Sequence, residues 1–350
     1  MRAVVEQQHG SPEVLEVTEI PDPRCGPEDV VIRVAAAGLN RADAVQRKGH
    51  YPPPPGAPST YGLEVSGTVL EVGDQAARTT SFAPGQDVVA LLAGGGYAER
   101  VAVHHAQVLP APEGVGLADA AALPEVAATV WANLFMVAGL DPEGPRRDGE
   151  AVLVHGGTGG IGAHALQLCR ALGYRVFTTV GTAEKARWVE DLARRQDERI
   201  AASGGRAPGA LTVIDYREQD FPEVVREETG GEGVRAILDV VGGKYLGPNV
   251  EALGTEGRLA IIAVQGGHTG ELDISRLMAK RAAVAGTTLR SRSAEEKGEI
   301  LAGMARTVWP LVADGVVDPL VDRTFPLDEV RAAHEYFDSG EHRGKVLLTL

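Results

Sequence analysis

The residues best suited to chemistry lie in one continuous stretch. Ala151-Val152-Leu153-Val154 reads as a strand and leads into His155-Gly156-Gly157-Thr158-Gly159-Gly160-Ile161-Gly162; Ala163 to Leu172 then reads as a helix closed by Gly173. Strand, glycine loop, helix and C-terminal glycine in this order is an arrangement that binds the pyrophosphate of a dinucleotide. A loop without Cβ atoms can lie against the phosphates, and free N–H groups at the helix N-terminus meet their charge. Gly157, Gly159 and Gly162 keep the G-x-G-x-x-G spacing, with Thr158, Gly160 and Ile161 between them. A methyltransferase loop, or a glycine-rich turn in an ordinary βα unit, shares these glycines; here both flanks fit the dinucleotide.

The next strand, Arg175 to Val180, ends where the ribose of such a cofactor would lie. An acid about 20 residues past the motif would bind the 2′-hydroxyl of NAD and repel the extra phosphate of NADP. That count lands on Thr182, in Gly181-Thr182-Ala183-Glu184-Lys185. Gly181, Thr182 and Lys185 offer a small turn, a hydroxyl and an ammonium. Two charge-assisted hydrogen bonds at about 1.5–3 kcal/mol each would favour the phosphorylated cofactor by roughly two to four decades. The expected cofactor is therefore NADPH, although Glu184 would reverse the choice if it took the place of Thr182.

The elements around this stretch set the class. The chain has 350 residues, about two domains' worth. Its first third carries β-branched segments such as Val30–Val34, Gly67–Val72 and Asp87–Leu91, an antiparallel pattern, with four prolines in an extended loop at 52–55. From about Leu123 the pattern changes. Val126 to Leu140 is a mostly apolar run that reads as one buried helix; beyond it, short strands apolar on both faces alternate with helices, the sequence form of a doubly wound parallel sheet. Phe325–Val330 reads as a helix and Gly344–Leu350 as a closing strand. No run reaches the ~18 uninterrupted apolar residues of a membrane helix, and the N-terminal apolar run is too short for a signal core; a cytoplasmic protein without a membrane partner is expected. A net charge of −14 argues against nucleic acid as a main partner. Two cysteines, Cys25 and Cys169, cannot build a four-cysteine zinc lobe.

Several segments together resemble a known family along the whole chain: Ala36-Ala37-Gly38-Leu39-Asn40-Arg41-Ala42-Asp43, Gln46 to Gly56, Gly62-Leu63-Glu64-Val65-Ser66-Gly67, Leu123-Pro124-Glu125, the glycine loop, Asp239-Val240-Val241-Gly242-Gly243 and Gly344-Lys345-Val346. The sequence is similar to the zinc-free, zeta-crystallin-like quinone oxidoreductases of the medium-chain dehydrogenase/reductase superfamily, and within them to the p53-inducible branch. The resemblance implies an α/β fold in which a Rossmann domain, 125–288, is inserted in a GroES-like, mainly antiparallel catalytic domain, 1–124 and 289–350. It also implies a homodimer or homotetramer, and Ala282–Leu289 reads as an edge strand able to pair across a twofold axis.

Zinc-dependent relatives carry a cysteine near Asn40 and a histidine where this chain has Leu63. Without those ligands no Lewis acid polarises a simple carbonyl, and the expected metal content is none. Hydride must then go to an acceptor that is already electron-poor, a quinone or, alternatively, an enal, enone or enoyl thioester. A non-catalytic nucleotide- or RNA-binding protein is the alternative of another class. By resemblance, Asn40 and Tyr51 serve catalysis at the nicotinamide and substrate end. Asn40, Thr129, Tyr216, Val241, Gly242, Gly243, Arg290 and Lys345 contact the cofactor. Asn40 also reads as a helix cap and Tyr51 as packing on the proline loop. No side chain is assigned as general acid, since a quinol can take protons from water. His104, His105, His155 and His164 read as solvated or structural. The segment 191–210 is longer than the family's usual link and reads as a solvated helix extension plus loop.

Overall fold

Alternating β-branched residues, and a closing strand that returns from the far end of the chain, build the first sheet of the computed structural model, which describes residues 1–350. In spatial order its strands are Val321–Pro326, Lys345–Thr349, Asp29–Gly38, Glu64–Val72, Asp87–Leu91 and Val108–Pro110, with Arg100–His104 also paired to Asp29–Gly38. Every pairing is antiparallel except Val321–Pro326 with Lys345–Thr349. Leu347 and Leu348 face Gly38 and Ala37 across the ladder, so the chain's last strand completes a sheet begun at residue 29. Inward positions Ile32, Val65, Val69, Val88 and Leu348 form the core, and helix Val330–Ser339 lays Val330, Ala333 and Phe337 onto it at helical spacing. This unit comprises Met1–Ala128, Leu289–Ala313 and Pro319–Leu350.

The second unit, Thr129–Thr288 with Asp314–Asp318, holds a six-stranded parallel sheet. Its order is Leu211–Asp215, Arg175–Val180, Ala151–His155, Val234–Asp239, Leu253–Ile261 and Ala283–Gly286. That is the 3-2-1-4-5-6 order of a dinucleotide-binding doubly wound sheet, in which ligands meet the C-terminal strand ends where the order reverses. Ala151–His155 is buried throughout because helices cover both faces. Ala283–Gly286 lies at the sheet edge, paired on one side only.

Three segments differ from the sequence reading. The apolar run is not one α-helix: Pro124–Val130 is α-helical, and Trp131–Val137 continues in wider π-helical turns. The Asn133 amide donates to the Thr129 carbonyl at 2.8 Å, and Ala138 N–H bonds back to Asn133, five residues away, so a side chain displaces the regular ladder. Leu117–Val137 is long and apolar enough for a membrane span, yet its apolar stretch is mostly buried within the protein. Phe325 and Pro326 end a strand, and the helix begins only at Val330 after a short turn, Leu327–Glu329. The longer link is helical to Ser203, closed by left-handed Gly204, and it is anchored as well as solvated: Arg170 binds Gln196 at 2.9 Å, Asp197 at 2.7 Å and the Gly209 carbonyl at 2.9 Å.

Candidate functional site

Each unit carries one polar constellation. In the second unit the three motif glycines have different jobs. A Cβ on Gly162 would lie 2.1 Å from the Gly156 carbonyl oxygen, and one on Gly157 would lie 2.4 Å from Thr178 Oγ1. Both glycines let the loop pack on its own strand and helix. A Cβ on Gly159 meets nothing closer than 3.6 Å, so its face is open. Gly159 caps the helix Gly160–Ala171, whose first intrahelical bond runs from Ala163 N–H to the Gly159 carbonyl at 2.8 Å. The amides of Gly160, Ile161 and Gly162 are therefore the unpaired donors of the first turn. An open glycine beside such a turn fits a pyrophosphate.

The neighbouring loops are tied to this one. Asp239 accepts from Val241 N–H at 2.6 Å and from Gly242 N–H at 3.1 Å, holding the turn after Val234–Asp239 with Gly242 at φ +78°. Asn249 donates its amide to Asp239 at 3.1 Å, and its oxygen contacts His155 Nε2 at 2.7 Å; His155 Nδ1 contacts the Thr179 hydroxyl at 2.9 Å. Burial holds the His155 imidazole down to about 4, so it is neutral at pH 7. The Asn249 oxygen then requires hydrogen on Nε2, and Nδ1 accepts from Thr179. Thr179 in turn takes both Gly156 and Gly157 N–H on its carbonyl at 3.2 Å. His155 and His164 are buried, not solvated. At the next strand end, Thr182 Oγ1 caps helix Ala183–Ser203 by accepting Lys185 N–H at 3.2 Å. Exposed Tyr216 lies against Gly181, where a Cβ would fall 2.5 Å from its hydroxyl. Gly181, Thr182, Lys185 and Tyr216 thus share one corner. A cavity of about 220 Å³ lined by Arg226, Arg276 and Lys280 sits at the N-terminal strand ends, away from these loops.

In the first unit a buried ion pair forms the centre. Lys345 Nζ donates to Glu64 Oε1 at 2.6 Å, to Asn40 Oδ1 at 2.7 Å and to the Leu39 carbonyl at 2.9 Å. Asn40 Nδ2 donates to Glu64 at 2.9 Å and the Gly38 carbonyl at 3.3 Å, while Glu125 N–H reaches Glu64 Oε2 at 2.8 Å. All three Lys345 hydrogens are taken by the protein, which places Lys345 as a scaffold cation and not as the expected cofactor ligand. Asn40, too, is held inside this network; its backbone N–H is accepted by Asp43 at 2.9 Å in the helix-capping sense. Asp43 also receives Gly62 N–H and the Tyr97 hydroxyl, each at 3.1 Å, and burial raises it to about 6.

Arg290, expected at the cofactor, is buried among first-unit acceptors: Ala93 carbonyl 2.8 Å, Gln46 Oε1 2.7 Å and Tyr51 carbonyl 3.2 Å. Its guanidinium stands 5.3 Å from the centre of the Tyr51 ring, so Tyr51 is fixed by backbone and ring together. No protein group hydrogen-bonds the Tyr51 phenol, whose pKa burial raises.

A domain signature described as "Alcohol dehydrogenase GroES-like domain" matches residues 26–113, and one described as "Zinc-binding dehydrogenase" matches 208–348. Human quinone oxidoreductase is 30% identical over 353 residues, spanning 100% of this chain and 98% of that protein. The chain belongs to the quinone oxidoreductase family. Among solved structures, Escherichia coli quinone oxidoreductase complexed with NADPH is 28% identical with a TM-score of 0.80, and both chains are fully covered. A 2-haloacrylate reductase is 26% identical with a TM-score of 0.80, over 100% of this chain and 99% of the other.

Within this family frame, sequence reasoning passed over Gly156, Thr179, Asn249 and the working role of Asp239. Asp239 stands two residues before Val241 and could have been noticed as a loop acceptor. Asn249 and Thr179 give no local signal, because Thr179 meets His155 only through the parallel register of their strands and Asn249 only through the packing of helix Leu246–Ala252. Glu64 and Glu125 lay inside quoted segments without being assigned work.

Proposed function

We propose that the protein is a zinc-independent oxidoreductase reducing quinones with NADPH. The observation that carries this reading is the open Gly159 face at the head of Gly160–Ala171, in a chain whose full length matches quinone oxidoreductases. Gly159 to Gly162 would hold the pyrophosphate on backbone amides. The Thr182 hydroxyl keeps its hydrogen for an acceptor, and Lys185 on the same turn adds positive charge; these suit a 2′-phosphate. Val241 and Gly242, fixed by Asp239, would line the nicotinamide side together with Thr129. NADPH, when bound, supplies a hydride. The protein orients the acceptor and keeps water from it. The Tyr51 phenol, its ring and backbone held by Arg290, would donate a hydrogen bond to the acceptor oxygen.

The test is NADPH oxidation with a naphthoquinone, a 2-alkenal and an enoyl-CoA in parallel, repeated with NADH. The expected result is turnover with the quinone and an NADPH preference of at least about 100-fold in kcat/KM. Preference for NADH, or inertness toward all three acceptors, overturns the reading. A second reading, reduction of activated alkenes, is favoured by the 2-haloacrylate reductase likeness; the same panel separates it, and RNA retention by an inert protein would support the non-catalytic alternative. In this assay Tyr51→Phe should lose about tenfold in kcat/KM, the worth of one hydrogen bond, with NADPH affinity unchanged. Equal values would reduce Tyr51 to packing. We also infer self-association through the open edge of Ala283–Gly286, beside exposed Leu272, Ile274 and Met278. Light scattering should return at least a dimer's mass.

A further inference from the structure

The hollow of about 220 Å³ at the N-terminal strand ends of the second unit has no part in the chemistry above. Its wall carries three cations, Arg226, Arg276 and Lys280, and one carboxylate, Glu251, in a chain whose net charge is −14. Three helices supply them: Arg226 stands in the last turn of Phe221–Glu228, Glu251 in Leu246–Ala252, and Arg276 in Ile274–Ala279, with Lys280 as that helix's cap. Gly231 N–H bonds the Arg226 carbonyl at 2.7 Å, while a Cβ on Gly231 would meet nothing within 4 Å, so this loop fixes Arg226 and leaves the side open. Lys280 Nζ donates to the Glu251 carbonyl at 2.6 Å and to the Leu253 carbonyl, covering the end of Leu246–Ala252. That capping role uses two of its three hydrogens and accounts for neither arginine. One Nη of Arg276 meets Glu251 at 3.0 Å, and one Nη of Arg226 meets Glu223 at 3.1 Å; the other Nη of each has no partner in the protein. Glu223, and Asp273 at 3.9 Å from Arg276, are exposed partners outside the wall, and such pairs hold weakly. Burial and the Arg276 charge lower the Lys280 pKa by more than Glu251 raises it, so the positive charge here lacks a sufficient counter-charge.

We propose that this hollow binds a small phosphate dianion, either inorganic phosphate or a compact phosphate monoester. Three cations against one carboxylate leave two positive charges on the wall, which a dianion balances. The third hydrogen of Lys280 and the spare Nη of each arginine are donors at three separate points. The three terminal oxygens of a phosphoryl group match them one to one, where a carboxylate offers two. The carbonyls that end Leu246–Ala252 would repel an anion, but Lys280 already covers them. At ~30 Å³ per water the hollow has about seven waters' worth of room, enough for a phosphoryl group with a few carbons and too little for a dinucleotide. Such a ligand would tie three helices together. The site stands apart from the glycine loop and is independent of the reductase reading.

The test titrates the full chain, with NADPH present in excess to fill the coenzyme corner, against inorganic phosphate, glycerol 3-phosphate and acetate at one ionic strength, by isothermal calorimetry. The expected result is that phosphate or its ester binds at least about tenfold more tightly than acetate, the worth of one further charge-assisted bond. The double variant Arg226→Gln with Arg276→Gln changes two exposed side chains and should weaken phosphate binding by about 100-fold, tenfold for each arginine. Hydrogen exchange across 226–233 and 274–280 should slow when phosphate is added to wild type and stay unchanged in the variant. Tighter binding of the ester identifies an organic phosphate as the ligand and tighter binding of the inorganic ion identifies free phosphate; both support the site. Phosphate held no better than acetate overturns it, as does a double variant that binds phosphate like wild type, which would put the anion elsewhere. If the variant fails to fold, wild-type exchange decides: protection confined to the two segments supports the site, and protection elsewhere or none overturns it. A protein that ignores NADPH is titrated in the same way, so failure of the reductase reading leaves this result standing.

Discussion

Replacing Gly162 with alanine should abolish useful NADPH binding while the rest of the fold survives. The new methyl would stand 2.1 Å from the Gly156 carbonyl oxygen and 2.8 Å from its carbon. Both obstacles are backbone, so no rotamer change relieves the overlap. The loop must back away from the first turn of Gly160–Ala171, and the amides facing the pyrophosphate lose their alignment. Losing two charge-assisted bonds of about 1.5–3 kcal/mol each weakens affinity by roughly two to four decades. The stability loss should be about 1–3 kcal/mol, as for other overpacked sites. Gly159→Ala is the control: its methyl meets only a 3.6 Å contact, so stability should stay near wild type while the cofactor still loses its close approach. Isothermal titration with NADPH and urea unfolding measure both effects. A Gly162→Ala protein binding NADPH as wild type does would show that the loop is not the cofactor cradle.

The second large effect concerns the buried pair. Lys345→Met leaves the Glu64 carboxylate at zero exposure with its cation removed, and breaking such a pair costs about 3–5 kcal/mol. The double change Glu64→Leu with Lys345→Met removes both charges and should recover much of that loss. Urea midpoints for wild type, the single and the double variant form the measurement. A single variant as stable as wild type would mean that Glu64 is neutral in the fold. The pair also supports the site: Glu64 holds Asn40 and the Glu125 backbone, so the single variant should lose activity as well as stability.

Local periodicity was enough to separate the antiparallel part of the chain from the doubly wound part. Strands such as Ala151–His155 and Asp87–Leu91 announce themselves because their burial follows their own side chains. The glycine motif was readable for the same reason, its spacing being a local steric demand. The π-helical turns after Val130 were not readable, since they depend on which carbonyl the Asn133 amide finds. Arg290 and Lys345 were expected at the cofactor by resemblance, and their placement among first-unit acceptors was not readable: the partners Gln46, Ala93, Glu64 and Asn40 lie some 200 to 300 positions away along the chain and become neighbours only on folding. Thr182 and Lys185 stood within counting distance of the motif, whereas Asn249 shows no pattern that counting could find.

The chain of contacts from Asp239 through Asn249 and His155 to Thr179 has a consequence for how the nucleotide is received. The loops after three separate strands, Ala151–His155, Arg175–Val180 and Val234–Asp239, are braced against each other by one buried hydrogen-bond path. With the nucleotide received on these loops, as proposed above, the entropy of shaping them would be settled when the polypeptide folds and would not be levied again at each turnover.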